Sequence, residues 1–365
     1  MKCINRLVTV LSSVCLATAA QAHHSVTTHF DMTRSIEIRG VVVDFKLRSP
    51  HASMVVDGQS YIDGVLQDAT VQRWEVESSA APGLRAMGIA ADTFKPGDRI
   101  TVVAAPNRQA GFRFVNSSNF TDASGKRYSR ASAEQVQTAT ADSVANGEGI
   151  ARMAGRWSAP GAFARREGSP LPLNAAGIAA RDSYDPKQSP ANTCEAMNIP
   201  DIFNAPYLFD VLVAGNEITI HNQPWKVERR IVLDGSAIVT EPQGAFGVVR
   251  GRIEGSTVIL ASERFPPSGW GLGGATQFLG SGVDLPSSAQ KKVTERFSLS
   301  EDGLTLNYDY TLEDPAYLTQ AFNGRLQFIR VAADTPMYPY ECDAESASMF
   351  SRRPGDDQLQ TGNSP

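Results

Sequence analysis

The chain reads as all-β: a five-stranded barrel followed by an antiparallel barrel of eight to nine strands. Three observations predict this. Short runs rich in Val, Ile, Thr and aromatic residues recur at close spacing, many with alternating polarity. The turns between them, such as Gly215-Asn216, Asp234-Gly235, Glu254-Gly255 and Asp302-Gly303, each offer a residue that tolerates positive φ. Helical spacing is confined to two short segments, Pro82 to Ile89 and Ala175 to Arg181.

In the first half the strand runs are Ile36 to Leu47, Ala52 to Val56, Arg73 to Glu77, Arg99 to Ala105 and Phe112 to Thr121. The helical segment falls between the third and fourth, which is the strand order of an OB-like barrel. Gly40 interrupts the long first strand, where such a barrel bends sharply. Residues 131–150 lack apolar periodicity and are rich in Ala, Ser and Thr, so they are expected to link two domains, 23–130 and 151–342. From Tyr207 the rhythm resumes and supplies eight strands up to Val331, nine if Gly155-Arg156-Trp157 starts one. A meander of that length closes most economically into an up-and-down barrel. The polar residues 343–365 are expected to form a disordered tail.

Residues 1–22 have the make-up of a cleaved export signal: Lys2 and Arg6, an apolar run from Leu7 to Ala20, then Ala20-Gln21-Ala22. The run is too short to span a bilayer, and no later stretch is longer. Cleavage after Ala22 would place the mature chain in the periplasm or outside the cell. It would also move the formal charge from −5 to −7, leaving 32 Lys and Arg against 39 Asp and Glu. A mildly acidic chain without a basic tract is a poor partner for nucleic acid. Cys3 and Cys15 leave with the signal, and Cys194 and Cys342 remain to form one disulfide in an oxidising compartment.

Two groups of residues could carry function. Four of the five histidines, His23, His24, His29 and His51, lie within 29 residues, and His23 would become the new N-terminus. Its amine and imidazole could chelate a borderline metal such as copper, with His51 as a further nitrogen ligand and His24 or His29 in reserve. In the second barrel, strand parity places three charges with apolar neighbours: Arg229 with Ile231 and Leu233, Glu295 with Val293 and Phe297, and Glu263 with Ile259 and Phe265. They either pair inside a filled barrel or anchor a ligand in a cavity. Nucleophilic hydrolysis has little support, because no Gly-x-Ser-x-Gly occurs and the second half has one histidine, His221.

The first half resembles a family of secreted bacterial proteins of unknown function. The matching pieces are Ala22-His23-His24-Ser25, Gly40-Val41-Val42, Pro50-His51 and Trp74-Glu75-Val76-Glu77, over roughly residues 20–128. The second half is similar to a lipocalin-like companion domain, through Tyr184-Asp185-Pro186, Cys194, Arg229-Arg230-Ile231, Leu233-Asp234-Gly235, Thr294-Glu295-Arg296-Phe297 and Glu313-Asp314-Pro315. Gly155-Arg156-Trp157 resembles the Gly-x-Trp of lipocalins, which implies that Arg325 or Arg330 packs over the indole. Where the companion domain shows Gly-Arg-Trp-Glu-Gly, this chain has Gly251-Arg252-Ile253-Glu254-Gly255, so a stacking role for that tryptophan does not transfer. The resemblance implies an architecture and no known activity.

The expectation is an exported, non-catalytic binding protein with a small, partly apolar ligand in the second barrel. Copper binding by the histidine cluster is the alternative, and a periplasmic hydrolase or metal-dependent oxidase the second alternative.

Overall fold

The computed structural model describes residues 29–129, 139, 144, 147–158, 170–205, 207–236, 246–274, 279 and 282–348. The chain is all-β. Its first sheet comprises β1 (Ile36–Lys46), β2 (Ser53–Ile62), β3 (Val65–Leu66), β4 (Gln72–Glu77), β5 (Arg99–Ala104), β6 (Phe114–Asn116), β7 (Phe120–Asp122) and β8 (Arg127–Tyr128), with helix α1 (Ala81–Ala86) between β4 and β5. Hydrogen bonds run from β6 through β4, β2, β1 and β5 to β7 and β8. The parallel β4–β6 pair and a bridge from Ala105 to Asn116 join β6 back to β5, so five strands form a circuit. Gly40 lies opposite Gly58, and a Cβ on Gly40 would collide with the Asp57 carbonyl. No larger residue permits that approach. The interior packs Ile38, Val56, Val76, Leu84, Val102 and Val115.

The fifth run of the sequence pattern divides into β6 and β7, because Ser117 turns the chain. Its hydroxyl accepts from Asn119 N–H at 2.9 Å and donates to the Val103 carbonyl at 2.7 Å.

The second sheet comprises β9 (Gly155–Ser158), β10 (Leu208–Ala214), β11 (Glu217–Asn222), β12 (Val227–Val232), β13 (Val248–Glu254), β14 (Thr257–Glu263), β17 (Lys292–Leu299), β18 (Thr305–Glu313) and β19 (Phe322–Val331). The ribbon of β15 (Ser268–Gly273) and β16 (Leu285–Ser287) lies outside it, and helix α2 (Ala175–Asp182) precedes β10. The nine strands pair antiparallel in the order β12-β11-β10-β9-β19-β18-β17-β14-β13. The two edge strands meet at the bridge from Asp234 to Arg252, which nearly closes the barrel. The guanidinium of Arg330 lies 4.2 Å from the Trp157 ring centre, and a Cβ on Gly155 would collide with its Nη1. That crowding explains the glycine of Gly155-Arg156-Trp157. Arg325 instead pairs with Asp309 at the surface.

The barrel is filled by its own chain. Met197, Ile199, Ile202 and Phe203 belong to its buried core. The Phe203 ring lies 4.9 Å from Tyr308, 5.3 Å from Phe209 and 5.7 Å from Phe328.

Cys194 and Cys342 form the disulfide. Of residues 343–365, expected to form a disordered tail, 343–348 are ordered, with helix α3 spanning Ala344–Ser348, and the rest lie outside the described residues. Local charge and the disulfide order this segment: Arg48 pairs with Asp343 at 2.9 Å and Glu345 at 2.8 Å, and Arg85 with Glu341 at 2.6 Å. No helix among the described residues is long and apolar enough to cross a membrane.

Candidate functional site

Arg229 reaches across the second barrel to Glu295 with two hydrogen bonds of 3.0 and 2.6 Å. Both side chains are buried. Tyr308 donates its hydroxyl to Glu295 at 3.1 Å, and the Phe246 ring lies under the guanidinium. Burial opposes the charge on Arg229, but the field and hydrogen bonds of Glu295 outweigh it and raise the guanidinium pKa. The pair is thus internally neutralised.

Glu263 does not join them. It is exposed at the end of β14, while Val258, Leu260 and Ser262 face inward. The parity expected for this strand is therefore off by one residue. Val258, Ile259 and Leu260 are all fully buried, so hydrophobicity alone does not distinguish the two faces.

Sequence reasoning also missed Lys291, which is fully buried and donates to the carbonyls of Ile199 at 2.7 Å and Gly271 at 2.5 Å and to Asn198 Oδ1 at 3.2 Å. Those bonds tie the β15–β16 ribbon to the segment that fills the barrel. A lysine following Ser288, Ala289 and Gln290 would need no such role if it were solvated, and no local pattern marks it as buried.

The first barrel holds a different arrangement. His51 precedes β2 and Glu77 ends β4, and the register Ser53 to Glu77 brings the two loops together. Ala52 N–H donates to Ser79 O at 3.2 Å, and Ser78 N–H to Ala52 O at 2.9 Å. This places His51 Nδ1 3.3 Å from Glu77 Oε1. Asn116, opposite Glu77 on β6, donates its amide to the same oxygen at 3.3 Å. Glu77 is fully buried, and its Oε2 has no hydrogen-bond partner among the described residues. Burial pushes the carboxyl up to about 8 against the smaller, opposing effect of Asn116. Burial also pushes the imidazole down to about 3, opposed by its hydrogen bond to the Ser78 carbonyl. Near pH 7 the pair is therefore a neutral imidazole beside a protonated acid.

The sequence pattern presents Glu77 only as part of a strand, and nothing in Trp74-Glu75-Val76-Glu77 separates it from the half-buried Glu75. His23 and His24 lie outside the described residues. His29 begins the described chain, with its carbonyl accepting from Arg108 N–H at 2.8 Å. Phe30 is fully buried, and its ring centre lies 5.2 Å from that of Phe114. Phe114 pairs with Glu75 and Asn116 with Glu77, so the chain enters two residues along β6 from the site. His221 is remote, on β11 beside Glu228. Among the described residues no group of three or more His, Cys, Asp or Glu side chains is arranged to hold a metal.

Fold and site together define a two-barrel β protein with a half-satisfied buried carboxyl, Glu77, in the first barrel. Residues 11–113 match the model of a family of unknown function (DUF6152). That span includes His23, His24, His51 and Glu77 and excludes the second barrel. No curated protein matches the chain.

Proposed function

We propose that this protein is an exported, non-catalytic metal-binding protein, with a copper(II) site built on His51 and Glu77 and completed by the N-terminus freed after Ala22. The observation that carries this reading is the buried Glu77 carboxyl, 3.3 Å from His51 Nδ1 and with its second oxygen unpaired among the described residues. A buried carboxyl left half-satisfied is costly to folding, whereas a cation replacing its proton would satisfy it. Reach supports the reading too. The stretch from His23 to Thr28 spans at most about 20 Å when extended, enough to return from Phe114 to Glu77. An amine, imidazoles and one carboxylate make a nitrogen-rich donor set, and copper heads the divalent affinity order.

A small ligand oriented by Arg229 and Glu295 has weaker support, because Phe203 and its neighbours occupy that interior and the two charges satisfy each other.

The test is competitive copper(II) titration of the signal-cleaved protein, of the same protein acetylated at its α-amine, and of His51→Ala. Both changes are expected to weaken binding at least tenfold. Equal affinity in acetylated and free forms would remove the amine from the site, and an unchanged His51→Ala would remove the barrel.

A further inference from the structure

His51 is the residue of the site whose main chain is held from outside the first barrel. The hydroxyl of Ser346, on α3, accepts from His51 N–H at 3.0 Å and donates to His51 C=O at 2.5 Å. Ser346 is fully buried, so this hydroxyl satisfies two main-chain groups where solvent does not reach its own side chain. The residue that follows, Ala52, already bonds Ser78 and Ser79, so the turn carrying the imidazole is fixed from both sides.

Ser346 is held in turn. Its N–H donates to Asp343 Oδ1 at 2.8 Å, and Asp343 pairs with Arg48. Asp343 N–H donates to the Ser49 carbonyl at 2.8 Å, and Ser49 N–H to the Glu341 carbonyl at 2.9 Å. Between them, Cys342 is bonded to Cys194, at the end of the short helical turn Pro190–Thr193. Helix α3 packs against that turn. The strap that clamps His51 thus belongs covalently to the second barrel.

We propose that Ser346 is a positioning residue for the His51–Glu77 site, delivered by the disulfide-latched strap of the second barrel. The proposal rests on the metal-binding reading above. The first barrel's site is then composite: it reaches its working geometry only when the two barrels are joined at Cys194–Cys342. This gives the second barrel a role that does not require a ligand in its filled interior. Residues that orient a ligating histidine typically matter about 10- to 100-fold in metal affinity.

The experiment compares wild type, Ser346→Ala, Ser346→Thr and the double variant Cys194→Ala/Cys342→Ala, all signal-cleaved. Each is titrated with copper(II) and the bound ion examined by electron paramagnetic resonance. Ser346→Ala is expected to bind at least about tenfold more weakly and to lose the nitrogen splitting of one imidazole. Ser346→Thr, which keeps the hydroxyl, is expected to restore both. The double cysteine variant should follow Ser346→Ala; if it fails to fold, Ser346→Ala decides alone. Wild-type affinity and spectrum in Ser346→Ala, with His51→Ala still defective, would overturn this proposal and leave the copper site standing. No copper binding by the wild type would overturn both.

Discussion

The His51–Glu77 pair should make a flat-topped contribution to the pH dependence of the metal-free protein's stability. Glu77 moves from 4.5 when unfolded to about 8 when folded, and His51 from 6.5 to about 3. Between pH 6.5 and 8 the unfolded chain has released the Glu77 proton while the folded chain still holds it. Stability therefore falls as pH rises through this window, by about 2 kcal/mol for 1.5 pH units. Between pH 4.5 and 6.5 the two groups act in opposite directions: Glu77 loses stability as pH rises, and His51 gains it. Below pH 4.5, toward 3, the unfolded chain binds a proton at His51 that the folded chain refuses, so stability falls again as the solution is acidified. The assay is urea unfolding in the presence of a chelator at pH 3.5, 4.5, 5.5, 6.5 and 8, for wild type and Glu77→Gln. Relative to the variant, wild type should lose roughly 3 kcal/mol between pH 4.5 and 6.5 and about 2 kcal/mol more between pH 6.5 and 8, because the buried Asp201 and Lys291, which also titrate near 7, act alike in both proteins. If both proteins decline equally between pH 6.5 and 8, Glu77 is not the group responsible and the neutral-pair reading is wrong.

Glu295→Gln or Arg229→Met should each cost about 3–5 kcal/mol by leaving one buried charge uncompensated, and replacing both with apolar residues should cost less than the sum; a double-mutant cycle by urea unfolding measures this. Phe203→Ala should cost about 3–5 kcal/mol and leave a dry void inside the second barrel, detectable by xenon binding. Removing the disulfide, whose cysteines are separated by 148 residues, should cost about 5 kcal/mol on the loop-entropy estimate. It should also expose the Ser49 and Asp343 amides to hydrogen exchange, and unchanged protection there would show that the strap holds without its covalent latch.

The all-β class and the two barrels were legible because strand alternation and turn chemistry are local signals. Leu306, Tyr308, Tyr310 and Leu312 on β18 are buried in strict alternation, as the pattern requires. Gly155-Arg156-Trp157 and the arginine over its indole were also legible, with Arg330 rather than Arg325 in place because its end of β19 faces β9. Glu263 misled because β14 is apolar on both faces. The ordered helix α3 was hidden because its stability comes from Arg48, Ser49 and a disulfide, all distant in sequence. Glu77 was illegible as a site residue for the same reason. Its neighbours come from segments distant in sequence, His51 before β2 and Asn116 on β6.

Two of the buried acids, Glu77 and Glu295, make opposite demands on the chain. Glu295 meets a bidentate arginine and a tyrosine, so its charge is balanced inside the fold and serves packing. Among the described residues the Glu77 carboxyl meets Asn116 and His51, whose own burial keeps the imidazole neutral. A glutamine could occupy the same volume, bond Asn116 and His51, and avoid the cost that the carboxyl accrues as pH rises above 4.5. On folding grounds alone the amide is the better residue, by about 5 kcal/mol at pH 8. In the proposed site a metal cation would take the place of the Glu77 proton and offset that cost. Glu77→Gln should therefore be more stable than wild type at pH 8 without metal and less able to retain copper. A variant that gained stability and kept full copper affinity would break the link between the carboxyl and the ion.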